Sequence, residues 1–161
     1  MYADPPNRER AERRLAPFGI PTALVHADPT DDIPQALARA LPAYLLGETR
    51  SRILERGFAT MIALGPSELV ARAHELRSKG AWQPLASLIY MGHDDRDVDV
   101  QATFLVQAIL DEGGSETFCA VWRSTSILGG RSCLDMALRT HLGMTQGDLE
   151  ERVLAVSSGP R

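Results

Sequence analysis

The segment VDVQATFLVQAILDEGG, residues 98–114, decides the fold class of this chain. Its first fifteen residues predict a strong helix, and the pair Gly113-Gly114 predicts where that helix ends, because glycine readily adopts the left-handed dihedral angles that close a helix. Gly129-Gly130 and Gly143 divide the rest of the chain in the same way, into three short helices. The sequence therefore predicts a helical C-terminal half over residues 98–161.

Helical periodicity also dominates the N-terminal half, residues 32–91, where apolar residues recur every three or four positions. Gly65-Pro66 separates two of its helices, and Ser67 is the predicted cap of the second of them. Pro84 interrupts the last apolar stretch of this half, for which we also predict a helix. The predicted helices span about residues 33–45, 51–64, 67–79 and 82–91.

Residues 1–31 are predicted to form an N-terminal arm and an irregular segment, with one short strand over residues 22–26. Arginines and glutamates alternate within residues 8–14, which favours a solvated face over an arm that binds nucleic acid. The predicted fold is therefore mostly α, a compact multi-helix protein with a short strand near its N-terminus.

Composition places the chain among ordinary globular proteins, with 44% hydrophobic and 24% charged residues in a length of 161. No apolar run approaches the roughly 20 residues of a membrane span, and the first thirty residues contain no apolar core of a signal peptide. Cys119 and Cys133 stand fourteen positions apart without any CxxC motif, which is typical of a reduced compartment. We therefore expect a cytoplasmic protein.

The net charge of −4 is unevenly distributed along the chain. Residues 92–161 hold eleven acidic and six basic side chains, which favours a basic partner for the C-terminal third. Residues 50–79 hold six basic side chains against three glutamates, which favours contact with nucleic acid. A core helix with solvated arginines explains the same pattern. The candidate DNA-binding residues on the helix 67–79 are Arg72, His74, Arg77 and Lys79.

The densest polar cluster, residues His93 to Asp99, is a candidate divalent-cation loop or a capping loop for the following helix. It does not match a calcium loop, because Asp99 and Leu105 stand where that motif needs Gly and Glu. Cys133 and His141 lie about 12 Å apart on a straight helix, too far for a nucleophilic pair. No hydrolase, metalloprotease or nucleotide-binding motif occurs, so we predict no enzyme, metal site or cofactor.

The stretch LGGRSCLD, residues 128–135, is the most informative of the C-terminal half. Ser132 and Asp135 have the spacing of a capping box, and the preceding glycines allow a sharp turn or a close backbone approach. The helix that follows is predicted to bury its leucines in a core with Trp122. The predicted core residues are Trp122, Leu128, Leu134 and Leu138.

Residues 104–156 together resemble the C-terminal toxin-binding domain of Xre/MbcA/ParS-type antitoxins. Five elements carry the resemblance, in the order of the family pattern: an apolar helix, a Gly followed by an acidic turn, a Trp, a Leu-Gly-Gly joint and a closing helix. Their counterparts here are residues 104–109, Gly114-Ser-Glu116, Trp122, residues 128–135 and residues 147–156.

The resemblance implies a protein that sequesters a partner toxin, often of the NAD-consuming RES class, and that represses its own operon. Operator DNA and a second copy of the chain are further candidate partners. Two alternatives stay open: a helical interaction or regulatory protein of mobile-element origin without a toxin, and a small metal-dependent enzyme using His93 to Asp99. The residues predicted to face the toxin are Trp122, Leu128, Gly129, Gly130, Arg131, Leu134 and Asp135.

Overall fold

The structure, a computed structural model, describes residue 46, residues 51–88, 96–125 and 130–157, and of residues 96 and 130–132 the backbone alone. Within these ranges the chain forms six helices and no strand, which confirms the predicted mostly α fold. The helices are α1 (Arg52–Ala63), α2 (Pro66–Ser78), α3 (Leu85–Leu88), α4 (Arg96–Ser124), α5 (Gly130–Leu142) and α6 (Gln146–Val156).

Several predictions fall outside the described residues. They concern the N-terminal arm over 1–31 with its strand at 22–26, the helix over 33–45, the residues 93–95 of the polar cluster, and Leu128 with Gly129. They stay predictions.

Glycine and proline set the helix ends much as the sequence predicts. The three glycines with positive φ among the described residues are Gly80, Gly114 and Gly143, with φ of 66°, 71° and 67°. Gly114 interrupts α4 and leaves a first arm, residues 96–113, and a second arm, residues 115–124. The positions of these breaks confirm the predicted division into short helices.

Two predicted boundaries are wrong. Ser67 does not cap α2: Gly65 is the N-cap and Pro66 occupies the first turn, where its fixed φ fits and its missing N–H costs nothing. Helix α3 begins at Leu85, later than predicted, because residues 81–84 are not helical and the carbonyl oxygen of Pro84 accepts the first hydrogen bonds of the helix.

Helix α4 lies at the centre of the fold, and α1, α2, α5 and α6 all pack against it. The buried apolar side chains of the described residues form one cluster that draws on both the 32–91 and the 98–161 segments. Three aromatic rings stand at its middle: the Phe58 and Phe118 centroids are 5.5 Å apart, and Trp122 lies 5.6 Å from Phe118 and 6.0 Å from Phe58. Such ring pairs contribute beyond the area they bury.

Helices α1 and α4 touch through their backbones at Gly57. A Cβ atom built on Gly57 would lie 2.2 Å from the carbonyl oxygen of Ala102, so no side chain fits there. The Thr103 hydroxyl, 3.1 Å from the Gly57 carbonyl oxygen and 2.9 Å from that of Asp99, donates across this contact. Arg56 and Asp99 form an ion pair beside it. The glycine thus explains how α1 approaches α4 so closely.

We expect Gly57→Ala to destabilise the protein although alanine is the better helix former. The added methyl group meets backbone atoms that cannot rotate away, and such overpacking costs roughly 1–3 kcal/mol. Gly147→Ala is the matched control, because its Cβ would meet nothing closer than the Thr145 hydroxyl at 3.7 Å. Urea denaturation should show a lower unfolding free energy for the first variant and an equal or higher one for the second. Equal stability of Gly57→Ala and wild type would contradict the close contact.

Candidate functional site

The Leu-Gly-Gly joint leads directly into α5, whose first helical residue is Gly130. Ser132 therefore lies within the first turn of the helix, and its predicted place at the N-cap is wrong. The Asp135 carboxylate accepts from Nε of Arg139 at 2.9 Å with one oxygen and from the backbone N–H of Gln146 at 3.0 Å with the other. Asp135 thus ties α5 to the first residue of α6.

Trp122 and Leu134 lie in the core, 0% and 2% exposed, as does Leu138. Their predicted place in the core is confirmed. Their prediction as partner-facing residues needs correction, because fully buried side chains offer no surface to a partner in this conformation. These buried side chains contribute to a binding surface indirectly, because they hold in place the helices that form that surface. Among the described residues, Gly130 and Arg131 belong to α5, and Asp135 remains partly exposed.

The N-terminus of α6 carries a capping box formed by Thr145 and Asp148. The Thr145 hydroxyl accepts from the backbone N–H of Asp148 at 3.2 Å, and the Asp148 carboxylate accepts from the backbone N–H of Thr145 at 2.7 Å. The Thr145 hydroxyl also lies 2.6 Å from that carboxylate. The hydrogen bonds that the Thr145 hydroxyl and the Thr145 backbone N–H make to this carboxylate lower the pKa of Asp148. The Thr-x-x-Asp spacing was visible in the sequence, so this box could have been predicted.

An open cleft adjoins this capping box, between the end of the first arm of α4, the α5–α6 connection and α6. Its volume is about 550 Å³. Two of its lining residues form an ion pair that joins α4 to α6, with Arg152 Nε 3.0 Å from Glu112 Oε1. The sequence did not indicate this cleft, because its residues are spread over more than forty positions. The lining residues are Glu112, Leu142, Gly143, Met144, Asp148, Glu151, Arg152 and Ala155.

The candidate DNA-binding residues of α2 do not form one free basic surface. Arg72 pairs with Glu68 at 2.8 Å and Lys79 pairs with Glu75, each one helical turn apart. The Lys79 ammonium group lowers the pKa of Glu75. His74 is exposed. DNA contact through these residues stays a prediction.

The Arg77 side chain links α2 to the C-terminal end of α6. Its guanidinium group lies 4.6 Å from the centre of the Trp82 ring, and Nη2 donates to the carbonyl oxygen of Leu154 at 2.9 Å. The same nitrogen contacts the Ser157 hydroxyl. An Arg77 substitution would therefore disturb the fold as well as any contact with DNA.

The candidate catalytic residues that the structure describes include Asp99, Cys119, Cys133 and His141. Asp99, from the polar cluster, pairs with Arg56, and the described residues hold no group of three His, Cys, Asp or Glu side chains placed to bind a metal. Cys119 and Cys133 are free thiols, and burial raises the pKa of Cys119. Nε2 of His141 lies 2.8 Å from the Ser124 hydroxyl on an exposed surface.

Comparison with models of protein families, with curated proteins and with solved structures finds no match to this chain. A search of the described helices finds none with the length and apolar character that crossing a membrane requires.

We expect Trp122→Ala to lower the stability of the protein by about 3–5 kcal/mol, the usual cost of removing a large buried ring. For a chain of this length that loss corresponds to a melting temperature roughly 6–20 °C lower. Trp122→Phe keeps an aromatic partner for Phe58 and Phe118 and should lose less. A Trp122→Ala variant that melts within a degree or two of wild type would show that the ring is not in the core.

The capping box makes a pH-dependent contribution to stability. Because the folded-state pKa of Asp148 is lowered, its contribution is present above the unfolded-state pKa and is lost as the pH falls through the folded value. NMR titration of the side-chain carboxyl carbon should give a pKa below the usual range of aspartate. Thr145→Val should raise it toward that range, since valine cannot supply the hydroxyl. An unchanged pKa in Thr145→Val would contradict this cause.

Proposed function

We propose that this protein is an antitoxin-like binding protein that neutralises a partner toxin through its C-terminal part. One observation carries the proposal: the helices that hold the resembling elements pack against one another in the core that contains Trp122. The apolar stretch 104–109 and Trp122 belong to α4, and both α5, which follows the Leu-Gly-Gly joint, and α6 pack against that helix.

Two further features support a protein-binding role. Residues 92–161 carry eleven acidic and six basic side chains, a surplus that favours association with a basic surface and speeds the encounter. Met136 on α5 is 61% exposed, so an apolar side chain stands on the same helix as the joint, on its solvent face. An RES-type toxin and repression of the chain's own operon are the finer parts of the proposal, and they rest on the resemblance alone.

Coexpression with the product of the adjacent gene tests the proposal. We expect that product to arrest growth when expressed alone and wild-type protein to restore growth. Gly130→Trp should fail to restore it, because a bulky ring at the first residue of α5 blocks close approach of a partner to the joint. Ser67→Trp is the matched control: it places the same ring on an exposed position in the first turn of α2 and should restore growth.

Circular dichroism must show that both tryptophan variants keep their helix content. Restoration by Gly130→Trp as well as by wild type would place the binding surface away from the joint. A neighbouring product that arrests growth regardless of this protein would remove the antitoxin proposal. A neighbouring product that is harmless would favour the alternative, a helical interaction protein without a toxin partner.

A further inference from the structure

We propose that the cleft between α4 and α6 receives an arginine- or lysine-bearing segment of a protein partner. The cleft, defined above by Glu112, Met144, Asp148, Glu151 and Ala155 with their neighbours, combines an apolar lining with carboxylates. Its volume of about 550 Å³ has room for several side chains, which suits a peptide segment rather than a single ion.

The apolar part of the cleft comes from Leu142, Met144 and Ala155. Arginine and lysine side chains carry an aliphatic stem and a charged end, and they bury the stem against apolar surface while the charge stays near water or an anion. Methionine adapts its shape to different partners, since its unbranched thioether chain rotates easily. An apolar lining beside carboxylates therefore matches both parts of a basic side chain.

The charged part of the cleft is anionic overall, with three carboxylates and one guanidinium group. Arg152 pairs with Glu112 at 3.0 Å, so Asp148 and Glu151 supply the negative potential of the cleft. The positive charge of Arg139 offsets part of that of Asp148, and Glu151 is therefore the stronger contributor. Asp148 is held in place by Thr145, so its charge is fixed in position before a partner arrives. Glu151 is exposed on α6, one residue before Arg152. A potential of this sign attracts cationic side chains and repels phosphate groups, which selects a basic protein segment over nucleic acid.

This inference rests on the proposed function in one respect, the identification of the basic segment as part of the toxin. Binding of a basic peptide to the cleft does not depend on that identification. The two can therefore be tested separately, with a synthetic peptide and with the adjacent gene product.

The peptide experiment is an NMR titration of the full chain with hexa-arginine, observed at the methionine methyl groups. Met144 lines the cleft, whereas Met136 is exposed on α5 and serves as an internal control. We expect the Met144 signal to move and the Met136 signal to stay, with affinity falling as salt is added. Hexa-glutamate should move neither. Equal movement of both methyl groups, or none at millimolar hexa-arginine, would overturn the assignment of the cleft.

Charge variants identify the residues responsible. Glu151→Gln should weaken hexa-arginine binding about two- to fivefold, the effect of one exposed ion pair, and Glu151→Lys should weaken it more. Glu116→Gln removes the same charge from an exposed position of α4 outside the cleft and should have little effect. Equal effects of Glu116→Gln and Glu151→Gln would mean that only the net charge matters, and would refute a specific site.

The toxin experiment uses the same positions in the coexpression assay. We expect Glu151→Lys to lose protection against the adjacent gene product and Glu116→Lys to keep it. Peptide binding at the cleft together with full protection by Glu151→Lys would show that the toxin does not supply the basic segment. If the adjacent product is harmless, the proposed function fails while the peptide titration still decides the chemistry of the cleft.

Discussion

The contact between Gly57 of α1 and Ala102 of α4 is the constraint on which the rest of the described structure depends. Helices that pack through side chains keep their axes about 8–10 Å apart, and a missing Cβ permits the backbones themselves to touch. This approach sets Arg56 against Asp99 and brings Phe58 onto Phe118 and Trp122. Neighbours of one glycine on α1 thus supply both a polar and an aromatic link to the central helix.

The aromatic cluster makes the C-terminal helices depend on the N-terminal segment. Trp122 belongs to the stretch that resembles an antitoxin domain, yet Phe58, one of its ring partners, comes from α1. Residues 104–156 alone would leave the Phe118 and Trp122 rings without that cover, and exposed aromatic surface of this size is costly. The surface around the joint is therefore held in place by a core that extends beyond the resembling stretch.

Helix ends could be predicted from the sequence, because they depend on the residues next to them. Gly80, Gly114 and Gly143 break helices because each takes a positive φ that side chains disfavour. Contacts between distant positions could not be predicted in the same way: Arg77 binds the end of α6, seventy-seven residues later, and Asp135 accepts from the backbone of Gln146 in the next helix. The cleft combines positions from Glu112 to Ala155, so no contiguous motif marks it. The capping box of Thr145 and Asp148 is a local pattern, and its Thr-x-x-Asp spacing alone would have predicted it.

Ion pairs within the protein determine which charged side chains can attract a partner. On α2 the basic side chains of Arg72 and Lys79 each face a glutamate one turn away, so their field at a distance is largely cancelled. At the cleft Arg152 pairs with Glu112, and the charges of Asp148 and Glu151 add to one another, although Arg139 offsets part of that of Asp148. The lining of the cleft thus carries a surplus of negative charge, with three carboxylates and one guanidinium group. A basic protein surface is the partner that this distribution favours, which agrees with a binding role for that part of the chain.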